Sequence, residues 1–160
     1  WVELRISSYE FLKKWEPYWE IEKCNRSSYM RQLRMHKTRA AYDQAYTFLC
    51  FTKIDKTLIG GINISNVERG VMQTGNIGYW LGKEYVSHGY MFEAINSFLP
   101  YIFNHLKLNR IQAYTLEENI ASRKLLEKLG FHNEGLLRKS MKINNIWRDH
   151  ILYSKINNET

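Results

Sequence analysis

Residues 76–94, NIGYWLGKEYVSHGYMFEA, decide how the rest of the chain is read. Ile77, Tyr79 and Leu81 alternate with Gly78, Trp80 and Gly82, the period of a β-strand. The chain then turns through residues 83–88 and enters a helix at Gly89. A strand running straight into a helix start gathers unpaired backbone N–H groups and the positive end of the helix dipole at one spot. That is a place for an anion, most naturally a phosphate. Gly89 has no Cβ, so a ligand can come close to the backbone there. On spacing alone, ordinary turn chemistry explains this glycine at least as well.

Outward from this stretch, the composition fits one domain. A chain of 160 residues, 44% of them hydrophobic, can bury a real core as a single unit over 1–160. No apolar run is long enough to span a bilayer, and no signal peptide is visible. Cys24 and Cys50 are too few for a disulfide framework and lack metal-ligand spacing, so no metal is expected and a reduced, cytoplasmic compartment is the simplest reading. A formal charge of +7 and a pI near 9.4 imply attraction to polyanions, or simply a solvated basic surface.

In chain order, spacing predicts a helix over 1–15, stopped by Pro17 in the Trp15–Trp19 cluster. A second helix is expected from Ser27 or Ser28 to Ala45, its exposed face carrying Arg31, Arg34, Lys37 and Arg39. Strands over 46–53 and 57–65 form a hairpin. The strand beginning near Thr74 follows a polar loop over 66–73. The helix from Gly89 places Met91, Ala94, Ile95, Phe98 and Ile102 on one face, with a kink or restart at Pro100. A short strand over 110–116 precedes a helix capped by Asn119 and ended by Gly130, with Leu125, Leu126 and Leu129 facing inward. A last hairpin, over 134–142 and 147–156, turns at Asn144-Asn145.

The stretch GYWLGKEYVSHGYMFEA resembles the acetyl-CoA loop of the GNAT N-acetyltransferases, whose pattern is Gln/Arg-x-x-Gly-x-Gly/Ala. With FLKKWEP, ISNVERG, ENIASRKLLEKLGF and NNIWRDHILY in the same order, nearly the whole chain is similar to the branch that acetylates ribosomal-protein N-termini, the RimJ/RimL type. The resemblance implies an α/β (α+β) fold. It is a mixed, mostly antiparallel sheet flanked by helices, in which two parallel strands splay apart around the pantetheine arm of acetyl-CoA. The family's first strand would precede Trp1. Carried over by residue, the backbone of Tyr79, Trp80 and Leu81 pairs with pantetheine amides. Val86, Ser87, His88, Gly89, Tyr90 and Met91 wrap the pyrophosphate. Asn119 contacts pantetheine and Ser122 lies close to the sulfur, with Arg123 and Lys124 within reach of the nucleotide end. Three positions depart from the pattern: Val86 replaces Gln or Arg, Met91 replaces Gly or Ala, and Leu126 stands where many members have a tyrosine acid.

The chemistry implied is acetyl transfer to an amine. A backbone N–H at Trp80 or Leu81 is the candidate oxyanion donor, a kind of contact worth about 2.7–4 kcal/mol in other enzymes. Ser122 is the candidate hydrogen-bond donor to the thiolate, although it equally suits capping of its helix. No carboxylate or His is marked as a base; Glu93, Glu117, Glu118 and Asp149 are the candidates. An α-amine is on the order of 10% neutral at pH 7, against about 0.04% for lysine, which favours an N-terminal acceptor. Trp15, Glu16, Pro17 and Trp19 are the expected acceptor side, with Glu16 holding a positive N-terminus, although the tryptophans equally suit packing of a helix corner. The expected partner is a protein N-terminus beginning Ala, Ser or Thr, on a ribosomal protein at or near the ribosome. Nucleic acid is then met only through the ribosome, which removes the repulsion between a +7 enzyme and a basic acceptor. The enzyme is expected as a monomer or homodimer, with no membrane partner. Two alternatives remain open: acetylation of a polyamine or aminoglycoside, and a non-catalytic RNA-binding module with a degenerate acyl-CoA site.

Overall fold

A computed structural model describes residues 1–157. Its elements run α1 (Val2–Ser7), α2 (Tyr9–Leu12), α3 (Arg26–Ala41), β1 (Tyr46–Phe51), β2 (Leu58–Glu68), β3 (Thr74–Leu81), α4 (Tyr90–Pro100), β4 (Arg110–Leu116), α5 (Ile120–Lys128), β5 (His132–Ile143) and β6 (Ile146–Ile156). The six strands form one sheet in the order β1-β2-β3-β4-β6-β5. Every neighbouring pair is antiparallel except β3 and β4, which run parallel.

Local chemistry sets the boundaries, and several differ from those read in the sequence. The first helix breaks in two at Ser8, a buried residue whose hydroxyl accepts the N–H of Lys83 (2.9 Å). Helix α3 starts earlier than expected. Asn25 Oδ1 accepts the N–H of Ser28 and Ser28 Oγ accepts that of Asn25, both at 3.0 Å, so Asn25 is the cap and Ser28, expected as a cap, closes a capping box from inside the helix. It also ends four residues earlier, at Ala41. The expected restart at Pro100 is a π-helical turn, Tyr101–His105, because proline offers no N–H for the α-helical ladder. Asn144 and Asn145 both take positive φ (48° and 63°), which lets the last two strands meet through a two-residue turn.

The core lies on one face of the sheet. Ile62, Ile64, Ile77 and Ile111 pack against Met91, Ile95, Leu99 and Ile102 of α4 and the adjoining π turn, and against Leu126 of α5. The opposite face meets α1, α2 and α3. None of the sixteen residues of α3 is buried, and a cleft of about 540 Å³ separates it from β1–β3. No helix among the described residues is long and apolar enough to cross a membrane.

Candidate active site

Strands β3 and β4 pair only at Thr74–Arg110, Gly75–Ile111 and Asn76–Gln112, then part. Which main-chain groups face the opening follows from the outer ladders. The N–H of Gly82 donates to the carbonyl of Ile59 (2.9 Å). In the register Gly61↔Trp80 and Ile62↔Tyr79, the even residues of β3 are therefore bonded to β2. Trp80 turns its N–H and C=O to Gly61, while those of Tyr79 and Leu81 point into the opening. On the other side, the N–H of Asn157 donates to Asn109 (2.8 Å), which fixes the odd residues of β4 on β6. Tyr114 and Leu116 thus face Tyr79 and Leu81 across the gap. Both strands keep their outer partners, so the opening has rigid walls. Of the two donors expected from the sequence, only Leu81 is presented; the N–H of Trp80 is replaced by that of Tyr79.

The side chains at this fork converge from three elements. Tyr79 on β3 sends its hydroxyl to Ser122 Oγ of α5 (2.7 Å). Burial, partly offset by that hydrogen bond, pushes the Tyr79 phenol up to about 12. Ser122 does not cap its helix, because Asn119 Oδ1 accepts the Ser122 N–H (3.2 Å) and serves as the cap. The hydroxyl of Ser122 is thereby left to Tyr79. Nothing in the sequence marked the Tyr79 side chain, because only its backbone entered the expected strand pairing.

The loop after β3 has the geometry expected of an anion site. Ser87 and Gly89 take positive φ (65° and 81°), and Ser87, His88, Gly89 and Tyr90 are exposed. No side chain caps the start of α4, so its first N–H groups are left for a ligand. An added Cβ at Gly89 would meet nothing within 4 Å. Met91 turns its side chain into the core, 5% exposed, so it does not crowd the loop, and Val86 is half-buried. These features fit a nucleotide pyrophosphate in the loop and an extended amide chain in the gap. Lys124 is exposed, whereas Arg123 is tied to the Glu117 carbonyl (3.1 Å) and Tyr153 (3.4 Å).

The residues expected on the acceptor side are placed differently from their expected form. Glu16 is engaged by Arg5, at 2.8 and 2.5 Å, and by the indole N–H of Trp19 (3.0 Å). The Arg5 guanidinium lies against Trp1, Trp19 and Trp80, at 5.7, 4.7 and 4.9 Å from their rings. Trp19 and Trp80 line the α3 cleft; Trp15 is half-buried outside it and Pro17 is exposed. Three of the four candidate bases are committed elsewhere. Glu93 pairs with Lys53 (2.9 Å), Glu118 with Arg148, and Asp149 accepts the Lys139 N–H (2.7 Å), while Glu117 is exposed. Its own backbone N–H and Arg148 keep the Glu118 carboxyl below its ordinary value. Among the described residues, no three His, Cys, Asp or Glu side chains gather as metal ligands.

Comparison with known proteins agrees with this geometry. The family described as "Acetyltransferase (GNAT) domain" matches residues 5–132. The chain is 34% identical over 142 residues to the [ribosomal protein uS5]-alanine N-acetyltransferase of Escherichia coli, covering 89% of this chain and 73% of that one. It is 39% identical over 127 residues to the probable N-acetyltransferase YjcK of Bacillus subtilis, covering 79% and 70%. Among solved structures, a ribosomal-protein-S5-alanine acetyltransferase from Vibrio fischeri superposes with a TM-score of 0.91 at 31% identity, over 99% of this chain and 86% of that one. RimJ of Mycobacterium smegmatis, in complex with CoA-disulfide, reaches 0.93 at 27% identity, over 99% and 77%. A parted parallel strand pair beside an uncapped helix start, matched over most of the chain, places this protein in the GNAT acetyltransferase family.

Proposed function

We propose that this acetyltransferase moves the acetyl group of acetyl-CoA to the α-amine of a protein N-terminus beginning Ala, Ser or Thr, and that the acceptor is a ribosomal protein. One observation carries the reading: the main chain of Tyr79 and Leu81 faces a gap that no neighbouring strand fills, with the Tyr79–Ser122 hydroxyl pair beside it. Acetyl-CoA supplies an acetyl group already activated as a thioester. The loop around Ser87–Tyr90 and the start of α4 hold its phosphates. The N–H groups of Tyr79 and Leu81 bind the extended amide arm and the carbonyl oxygen as it gains charge.

Ser122 Oγ then donates a hydrogen bond to the departing sulfur, and the Tyr79 hydroxyl donates to Ser122 in turn. With its pKa near 12, Tyr79 keeps its proton throughout the neutral range. A thiol of pKa about 8.5 leaves readily, so this relay needs to steady the sulfur rather than protonate it fully. On the acceptor side, a terminal amine of pKa about 7.7–8.0 is sufficiently neutral to attack without a dedicated base, and the proton its nitrogen sheds after attack passes to solvent or to the departing thiolate. A polyamine acceptor calls for an acidic cleft, whereas the cleft under α3 is lined by Arg5, Lys23, Arg31 and Arg39 against Glu20 alone.

The test is incubation with acetyl-CoA and peptides starting in Ala, Ser or Thr, following thiol release. Release with at least one of them is expected. No release above background with any, while CoA still binds, contradicts the proposal.

A further inference from the structure

The cleft between α3 and the sheet carries more positive charge than its own residues neutralise. Helix α3 contains no Asp or Glu, and among the described residues no carboxylate lies within ion-pair distance of Arg31 or Arg39. The single acid of the lining, Glu20, is taken by Lys23 (2.7 Å). At the other end stands Arg5, only 8% exposed, with both terminal nitrogens on Glu16 and its Nε–H buried without a partner. A buried donor left unsatisfied is costly, and here it belongs to a residue that lines the cleft.

Trp80 joins the cleft to the acyl gap: its ring lines the former, and its neighbours Tyr79 and Leu81 wall the latter. Trp1 stacks on Tyr29 (4.8 Å) and meets Trp80 edge-on (6.5 Å), so the N-terminal half of α3 is the half nearest the gap. Arg31 and Arg39 are eight residues apart on the helix, about 12 Å. An extended peptide spans that distance in about four residues.

We propose that the cleft selects acceptor N-termini by their acidity: a segment entering from the gap gives acidic side chains at about its third to sixth positions to Arg31 and Arg39. This rests on the N-terminal reading above and names the class of sequence that follows the amine. The exposed arginines act on capture of the acceptor, so the preference lies in KM rather than kcat.

The test measures acetylation of three peptides that share Ala at position one and differ at positions three to six, which are acidic, Gln-rich or basic. The acidic peptide is expected to show a KM about tenfold below the basic one with kcat within about threefold. In the double variant Arg31→Gln/Arg39→Gln that KM ratio falls below about three. Equal KM values, or a preference for the basic peptide, overturn this inference while leaving N-terminal acetylation intact. Failure of all three peptides overturns N-terminal acetylation itself. Adenosine monophosphate competing with the acceptor better than the acidic peptide's acetylated product also overturns the inference, because the cleft then belongs to a nucleotide.

Discussion

Helices α4 and α5 drive Ile95 and Leu126 to complete burial against one face of the sheet, whereas α3, on the other face, buries none of its sixteen residues. The first face is close-packed and fixes the fork between β3 and β4. The second leaves a cleft whose walls are aromatic and basic. A transferase needs both. The acyl donor must meet preorganised main chain, and the acceptor must enter and leave. On the proposed function, the difference separates rigidity at the chemistry from access at the acceptor.

The largest expected effect tests that asymmetry through stability. Ile95→Ala should cost about 2–5 kcal/mol in denaturant unfolding, because a fully buried side chain leaves a cavity. Leu33→Ala, on exposed α3, should stay within about 0.5 kcal/mol. Similar losses at both positions would erase the contrast.

Next comes the anion loop. Gly89→Val forces a β-branched residue into a left-handed conformation where space is open, so strain rather than collision is the cause. The KM for acetyl-CoA should rise about tenfold, with the acceptor KM little changed. A smaller effect belongs to the hydroxyl relay. Ser122→Ala should lower kcat about fivefold, the loss of one hydrogen bond, and Tyr79→Phe by less. Because the two act in series, the double variant should be no slower than Ser122→Ala alone. Additive losses would show that they act separately.

The smallest effect is a pH slope. Tyr79's folded pKa is raised from the ordinary 10 to about 12 by burial. Its contribution to stability is therefore intact below pH 10 and lost as pH rises from 10 toward 12, where the unfolded phenol ionises first. The Tyr79→Phe protein should unfold with a shallower alkaline slope than the parent, and equal slopes would argue against a buried phenol.

Much of this was legible in the sequence where the signal is local. Residues 76–94 carry strand alternation and a glycine at the turn, and β3, the loop and α4 formed as read. Pro100 marked the helical irregularity by its missing N–H. The break at Ser8 was not legible, because it answers to the N–H of Lys83, 75 residues away. The same holds for Glu16, whose capture by Arg5 depends on how the chain folds back between them. At the fork, the period of a strand identifies two faces but not which edge each N–H serves. That choice between Trp80 and its neighbours needs the register with β2. Tyr79 reaches Ser122 across 43 positions, so its side-chain role emerges only from the packed strand and helix.

Residue-resolved amide hydrogen exchange with and without CoA tests the fork most directly. The N–H groups of Tyr79 and Leu81 should slow at least about tenfold on binding, while that of Trp80, already bonded to β2, should be slow in both states. Slow exchange at Tyr79 and Leu81 in the free protein, or no change there when CoA binds, would contradict a donor site built from the parted strands.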